Sequence, residues 1–381
     1  MSDGLLPRNE CGTLRPSRNC MAKRKAANPG GNSITLKQLA QHLELSPTTV
    51  SLVINGSSAA DSIPRRTKQR IFAAAKKLSY RPNHFARSLR TQSSSTIGVL
   101  VPEISEGYEA LVMSGIEQYL LEQKYFYFVV SHHHRNELIQ DYPRLLVGRG
   151  VDGIIAVDTP AGHSFGVPTV AVSGKPSGTA VTRVVLDHQC AADLALEHLV
   201  RLKHTNIAFI KGQPFSADTE TRWEAITTAA KRLRLKIDRR LVAQLDGDSS
   251  SPELGYVATS KLLATQRPFT ALFAFNDIAA IGSMQALREA RYAVPNDVSV
   301  IGFDDIQSAA FQHPALTTIR QPLHEMGKLA AETLLQIIRD GESAPRTLTV
   351  SPTLVERAST GPAGIAMTHP TPLGKRASAS I

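Results

Sequence analysis

The 381-residue sequence predicts a multi-domain protein, with an N-terminal all-α helix-turn-helix head followed by an α/β core of two doubly wound parallel-sheet subdomains. Three observations carry this. The chain is too long for one ordinary compact core. Apolar positions recur at helical spacing between Thr35 and Leu78, and from Thr96 onward β-rich runs alternate with amphipathic ones. The charge divides at the same place: residues 1–95 carry 16 Lys/Arg against 4 Asp/Glu, a net +12, leaving −2 for the rest of a chain whose total is +10.

In the head, Leu36, Leu39, Ala40 and Leu43, then Val50, Val53 and Ile54, then Ile71, Ala74, Ala75 and Leu78 predict three short helices. Ser46 suits the cap of the second helix, and Pro47 suits its first turn, where the missing N–H costs nothing. The small, polar stretch from Ser57 to Pro64 predicts a loop before the third helix. Helix, tight turn and a second helix with a polar tip is the plan that delivers side chains into a DNA major groove. The basic surroundings suit a polyanion, although a merely solvated basic tail is the competing reading.

In the core, the β-rich runs TIGVLVP, YFYFVVS, VDGIIAV and VPTVAVS predict strands, alternating with the stretches LVMSGIEQYLLEQ and LLVGRG. A second series follows in AADLALEHLVRL, NIAFIKG, WEAITTAAKRL, ALFAFN, DIAAIGSMQALREA and VSVIGFD. Alternation of this kind predicts parallel sheets covered by helices, with ligands bound beyond the carboxyl ends of the strands. With 42% hydrophobic and 20% charged residues and no apolar run of membrane length, a soluble protein without a membrane partner is expected. The N-terminal stretch lacks the unbroken apolar segment of a secretory signal, and three sparse cysteines make no disulfide framework, so the cytoplasm is the expected compartment. Residues 1–32 and 361–381 have compositions that cannot bury a core and read as disordered tails. Met21 stands as a second candidate translation start.

ITLKQLAQHLELSPTTVSLVIN resembles the head of the lactose and purine repressor (LacI/GalR) family of bacterial transcription regulators. TKQRIFAAAKKLSYRPNHFARSLR, TIGVLVP, LDHQCAADLALEHL, NIAFIKGQPFS, VPNDVSVIGFDD and PALTTIRQP continue the resemblance in the same order, to about Thr360. The resemblance implies a head over 33–80, a hinge helix and linker over 81–95, and a periplasmic-binding-protein-like effector domain over 96–360. Within that domain it implies an N-subdomain of about 96–186 and 322–349 and a C-subdomain of about 187–321 and 350–360. The crossings between them are placed near Asp187, Gln321 and Thr349.

The same resemblance assigns DNA base contacts to Pro47, Thr48 and Leu52 and phosphate contacts to Thr35, Ser46, Thr49, Ser51 and Asn55. For Ser46, pure helix capping remains an alternative. Leu52 replaces the arginine or histidine of well-known members and leaves only apolar contact with a base, and Glu44 stands where the turn usually has glycine or asparagine. Leu89 matches the hinge residue that wedges into the minor groove, with packing of a linker helix as its alternative. Ser105, Tyr108, His132, Ser173, Ser216, Arg222, Asn276, Asp304 and Gln321 are the implied effector-binding set; Arg222 also reads as a structural ion pair and Asp304 as a cap.

The expected partners are a near-palindromic operator in double-stranded DNA, a small-molecule effector that base rates make a sugar, and a second copy of the chain in a homodimer on the nucleoid. Neither enzymatic activity nor a cofactor is expected. The GRGVDG of residues 148–153 has dinucleotide-fingerprint spacing but leads into a strand instead of a helix. The run His132, His133, His134 invites a metal, but consecutive loop residues rarely converge on one ion, and no metal site is expected. A transport solute-binding protein and a sugar- or nucleotide-metabolising α/β enzyme are the rival readings; the first needs no basic head, and the second needs a catalytic set that the sequence lacks.

Overall fold

The computed structural model describes residues 34–80, 93–104, 107–161, 165–173, 181–216, 218–247, 250–341 and 344–364. The hinge position Leu89 and the candidate Ser105 lie outside these. The chain divides into two compact units, Met1–His84 and Phe85–Ile381.

The first unit holds α1 (Leu36–Leu43), α2 (Pro47–Ile54), a 3-10 turn (Ser58–Ser62) and α3 (Arg65–Lys77). Thr35 caps α1 in a reciprocal capping box with Gln38, and Ser46 caps α2 by accepting from Thr49 N at 3.1 Å. Leu39, Ala40, Leu43, Val50, Val53, Ile71, Ala74 and Ala75 form one buried core, so the periodic positions of the three helices meet. The tight turn ends α1 on Glu44 in the left-handed region (φ 58°), a conformation that costs a residue with a Cβ roughly 1 kcal/mol.

The second unit contains two six-stranded sheets. The first has the order β11-β5-β4-β3-β1-β2 and is parallel throughout. It is built from β1 (Thr96–Val101), β2 (Phe126–Ser131), β3 (Gly153–Val157), β4 (Thr169–Val172), β5 (Thr182–Leu186) and β11 (Thr347–Val350). The second has the order β12-β10-β9-β8-β6-β7, parallel except where β12 runs against β10. Its strands are β6 (Ile207–Lys211), β7 (Val242–Gln244), β8 (Ala271–Phe273), β9 (Ser299–Asp304), β10 (Thr317–Arg320) and β12 (Thr353–Val355). β1 and β3 of the first sheet and β9 of the second are almost wholly buried, as strands covered on both faces must be.

Helices α4 (Tyr108–Glu122), α5 (Asn136–Gly148) and α10 (Leu323–Asp340) belong to the first lobe. The second lobe takes α6 (His188–Arg201), α7 (Thr219–Arg232), α8 (Pro252–Ala264) and α9 (Asp277–Glu289). Each lobe has one helix pair that meets backbone to backbone through glycine. Gly115 and Gly327 do this for α4 against α10, and Gly255 and Gly282 for α8 against α9; a Cβ at any of them would overlap a carbonyl of the facing helix. The chain passes between lobes at Asp187, at Gln321–Pro322 and at Ser351–Pro352. The first and last passages are joined, because Asp187 N donates to Val350 O at 2.9 Å.

Candidate functional site

In the head, Ser46, Pro47 and Thr48 are exposed together at the start of α2, as a surface that reaches bases requires. Thr35 is exposed and Thr49 half-buried. Leu52 is half-buried and packs against the head's own core, so only part of it faces outward. Ser51 is 7% exposed, and its hydroxyl and carbonyl both accept from Asn55 Nδ2, at 3.1 and 2.8 Å. This serine thus stabilises the end of α2 and presents little of itself to a phosphate. Arg65, Arg66 and Arg70 of α3 and Lys37 of α1 are exposed on the same unit, giving it the cations that a DNA backbone attracts.

In the second unit a cleft opens between the lobes. Tyr108 and Glu109, at the start of α4, and Asp158, just past β3, come from the first lobe. Ser216, Asp218, Arg222, Phe275, Asn276 and Asp304 come from the second. All but Arg222 sit at strand ends, helix starts or the loops between them, where a doubly wound sheet binds ligands. The lobes also touch across the mouth: the rings of His134 and Phe215 meet at a 34° tilt with centres 3.9 Å apart, and Glu103 Oε1 accepts from Ser250 N at 3.2 Å.

Arg222 is the cation at the centre. One turn into α7, it is 4% exposed and lies over Phe303 and Phe275, at 3.7 and 4.3 Å from the ring centres. Its Nη1 donates to Phe275 O, Nη2 stands 3.9 Å from Asp218, and Nε is buried without a partner. Asp304 ends β9 at φ 110° and is 6% exposed. Burial pushes its carboxyl up to about 7, against the pull of Arg222 and of Gln321. Gln321 Nε2 donates to Asp304 Oδ1 at 2.6 Å, while Gln321 Oε1 has no partner. Glu109 is pushed up to about 8, chiefly by burial, then by the charges of Asp158 and Asp304.

The hydroxyl of Tyr108 is buried and unpartnered; burial and then Asp218 raise it well above the ordinary phenol range. The Ser173 hydroxyl is near enough to oppose that rise without meeting hydrogen-bond geometry. Ser173 itself is 4% exposed and donates to Asp158 at a long 3.4 Å, behind the cleft wall. Asn276 is committed as the cap of α9, its Oδ1 accepting from Ala279 N at 2.8 Å, which leaves its amide nitrogen for a ligand.

His132 is fully buried and does not line the cleft. Its Nδ1 accepts from His134 N at 3.1 Å and its Nε2 meets Thr159 Oγ1 at 2.9 Å; because that hydroxyl donates to Val157 O, the imidazole proton belongs on Nε2. Burial, then the adjacent His134 and His133, pull its pKa down to about 4. The cleft-facing histidine is His134. Among the described residues no group of three or more His, Cys, Asp or Glu is placed to hold a metal.

Asp158, Glu109, Asp218, His134 and Phe215 were absent from the sequence-derived set. The strand-end rule that selected Asn276 and Asp304 also reaches Asp158, which follows VDGIIAV, and Asp218 stands one helical turn before Arg222.

A basic three-helix reading head and a two-lobed domain with a polar interlobe cleft define a ligand-responsive DNA-binding regulator. Residues 35–83 match the bacterial regulatory proteins of the lacI family, and residues 196–360 match a periplasmic binding protein-like domain. The HTH-type transcriptional repressor PurR of Aliivibrio fischeri (strain MJ11) is 31% identical over 333 residues, 85% of this chain and 98% of the relative. A LacI family transcriptional regulator from Enterococcus faecium, solved with bound ribose, is 30% identical over 70% of this chain and 99% of its own, with a TM-score of 0.61. The lac repressor dimer, solved bound to operator and the anti-inducer ONPF, shares the fold at 24% identity and a TM-score of 0.77, covering 87% of this chain and all of its own. The chain belongs to the lacI family: it is a DNA-binding transcriptional repressor with a periplasmic-binding-protein-like ligand-binding domain.

Proposed function

We propose that the protein is a cytoplasmic, nucleoid-bound homodimer without enzymatic activity, which represses transcription from a near-palindromic operator and releases it when a sugar enters the interlobe cleft. Co-repression is the second possibility for the sign. The observation that carries the reading is the convergence of Tyr108 from one lobe with Arg222, Asn276 and Asp304 from the other on a single cleft. Groups from both lobes let a ligand favour one lobe angle over another, and differential affinity is what shifts such an equilibrium. The ribose held by the Enterococcus faecium relative supports a sugar.

A second copy of the chain is supported by the uncovered edge strand β2. Phe126 and Phe128 are 62% and 36% exposed there, with ring centres 5.3 Å apart. An open edge carrying large apolar side chains is a surface that a partner normally covers. In the dimer, Pro47, Thr48 and the outward part of Leu52 read bases, and Thr35, Ser46, Thr49 and Asn55 hold phosphates, while Leu89 of the hinge wedges into the minor groove.

The test is selection of random-sequence duplexes by the purified protein at fixed salt, with and without a panel of sugars and purines. Enrichment of a near-palindrome whose recovery a sugar lowers is the expected result. Failure to enrich any sequence across the panel overturns specific DNA reading, and a response only to purines overturns the sugar.

A further inference from the structure

We propose that the cleft accepts an uncharged, hydroxyl-bearing ligand and rejects the phosphorylated or carboxylated counterparts of the same molecule. The proposal rests on the reading of the cleft as the effector site and narrows the chemical class that it takes.

The lining is rich in acceptors and acidic. Glu109, Asp158, Asp218 and Asp304 all face the cleft, and among the described lining residues the only arginine is Arg222 and there is no lysine. Arg222 is largely spent within the protein on Phe275 O, on the two phenyl rings and near Asp218. Among the described residues its one hydrogen bond within the protein is from Nη1 to Phe275 O, and its Nε–H is buried without a partner. With Glu109 mostly and Asp304 partly protonated near neutral pH, the carboxylates that a phosphate meets are chiefly those of Asp158 and Asp218. At an effective dielectric constant of about 20, each unit like charge some 10 Å away weakens binding roughly tenfold.

Four helices, α4, α7, α8 and α9, begin at this cleft, and helix N-termini ordinarily favour anions. Here the protein has already answered them. Glu109 lies in the first turn of α4, Asp218 is at the N-cap of α7, Ser251 Oγ accepts from Glu253 N on α8, and Asn276 Oδ1 accepts from Ala279 N on α9. Burial first, and then the charges of Asp158 and Asp304, push Glu109 up to about 8.

A hydroxyl meets all these demands at once, since it donates to a carboxylate and accepts from an N–H. Two of the buried unpartnered atoms belong to residues that line the cleft, and they match that duality: Arg222 Nε donates, and Tyr108 Oη does either. A phosphate ester at neutral pH brings two more acceptors and a negative charge to a lining where Asp158 and Asp218 already stand.

The experiment is calorimetric titration of the full chain with D-ribose, D-glucose, D-fructose and adenosine, each paired with its phosphate monoester, after a thermal-shift screen. The expected result is binding of an uncharged member with its phosphate ester at least about 100-fold weaker. Asp158→Asn and Asp218→Asn, tested separately, should each narrow that gap by roughly tenfold. A phosphate ester that binds as tightly as its parent overturns the proposal while leaving the effector site intact. Adenosine binding without a sugar keeps the proposal and overturns the sugar. If no uncharged member binds, both fall.

Discussion

Asp304→Asn separates what the cleft costs the fold from what it does for the ligand. Asp304 rises from 3.8 to about 7 in the folded chain, mainly through burial. Between about pH 4 and pH 7 the folded chain therefore holds a proton that the unfolded chain has released, and the stability this gives is lost as pH rises through that window. At about 1.36 kcal/mol per unit, the penalty relative to a neutral side chain is about 4 kcal/mol at pH 8, about 2 kcal/mol at pH 5, and vanishes below pH 4. Asparagine carries no charge at any of these values and keeps an Oδ1 acceptor for Gln321 Nε2, now at 2.6 Å. The ligand-free variant should thus gain about 2 kcal/mol more over wild type at pH 8 than at pH 5. Urea unfolding of both proteins at the two pH values, followed by far-UV circular dichroism, measures the difference. A gain that is the same at both values refutes the argument, because the carboxyl would then not titrate near neutrality.

The glycines of the helix crossings give a second expectation: Gly115→Ala and Gly327→Ala each drive a methyl into a carbonyl of the facing helix and should cost about 3 kcal/mol, read as a lowered Tm. Arg222→Lys keeps the charge but loses the planar stack on Phe275 and Phe303, so effector affinity should fall at least about tenfold while operator affinity without effector is retained in gel-shift titrations. Thr48→Ala removes an exposed side chain at the tip of α2, and should lower affinity for the selected operator by about 1–2 kcal/mol while leaving affinity for unrelated duplexes unchanged.

The elements that sequence reasoning reached are those whose burial pattern is regular over enough residues. Leu39, Ala40, Leu43, Val50, Val53 and Ile71 occupy one core, as their spacing predicts. The strands β1, β2, β3 and β4 are the four apolar runs named at the outset. Helix α5 was visible only in its last turn, because Pro143 and a run of polar residues interrupt its apolar face. Short strands such as β5, β7, β11 and β12 have three to five residues and little alternation, so their place is decided by tertiary pairing. In the site, Arg222 and Asp304 were legible from type and position. The exchange of His132 for His134 was not: His133 and His134 both have positive φ, 48° and 54°, and that local turn decides which imidazole goes inward. Ser51 likewise reads as one more polar residue on a reading helix until the reach of Asn55, four positions on, turns it into an internal partner.

Gln321 ties the chemistry of the cleft to the geometry of the lobes. It lies in the second of the three passages between them, directly before α10, and its side chain holds Asp304 at the end of β9. A ligand hydroxyl that donates to Asp304 favours the ionised carboxylate and strengthens this bond, whereas protonation of Asp304 weakens it. Either event therefore acts on a residue of the lobe connection itself, not on a remote surface loop. The other two passages are locked to each other through Asp187 and Val350, and Asp187 also caps α6 by accepting from Cys190 N at 2.9 Å. Two of the three passages are thus braced to each other, and the third is tied to the cleft through Asp304.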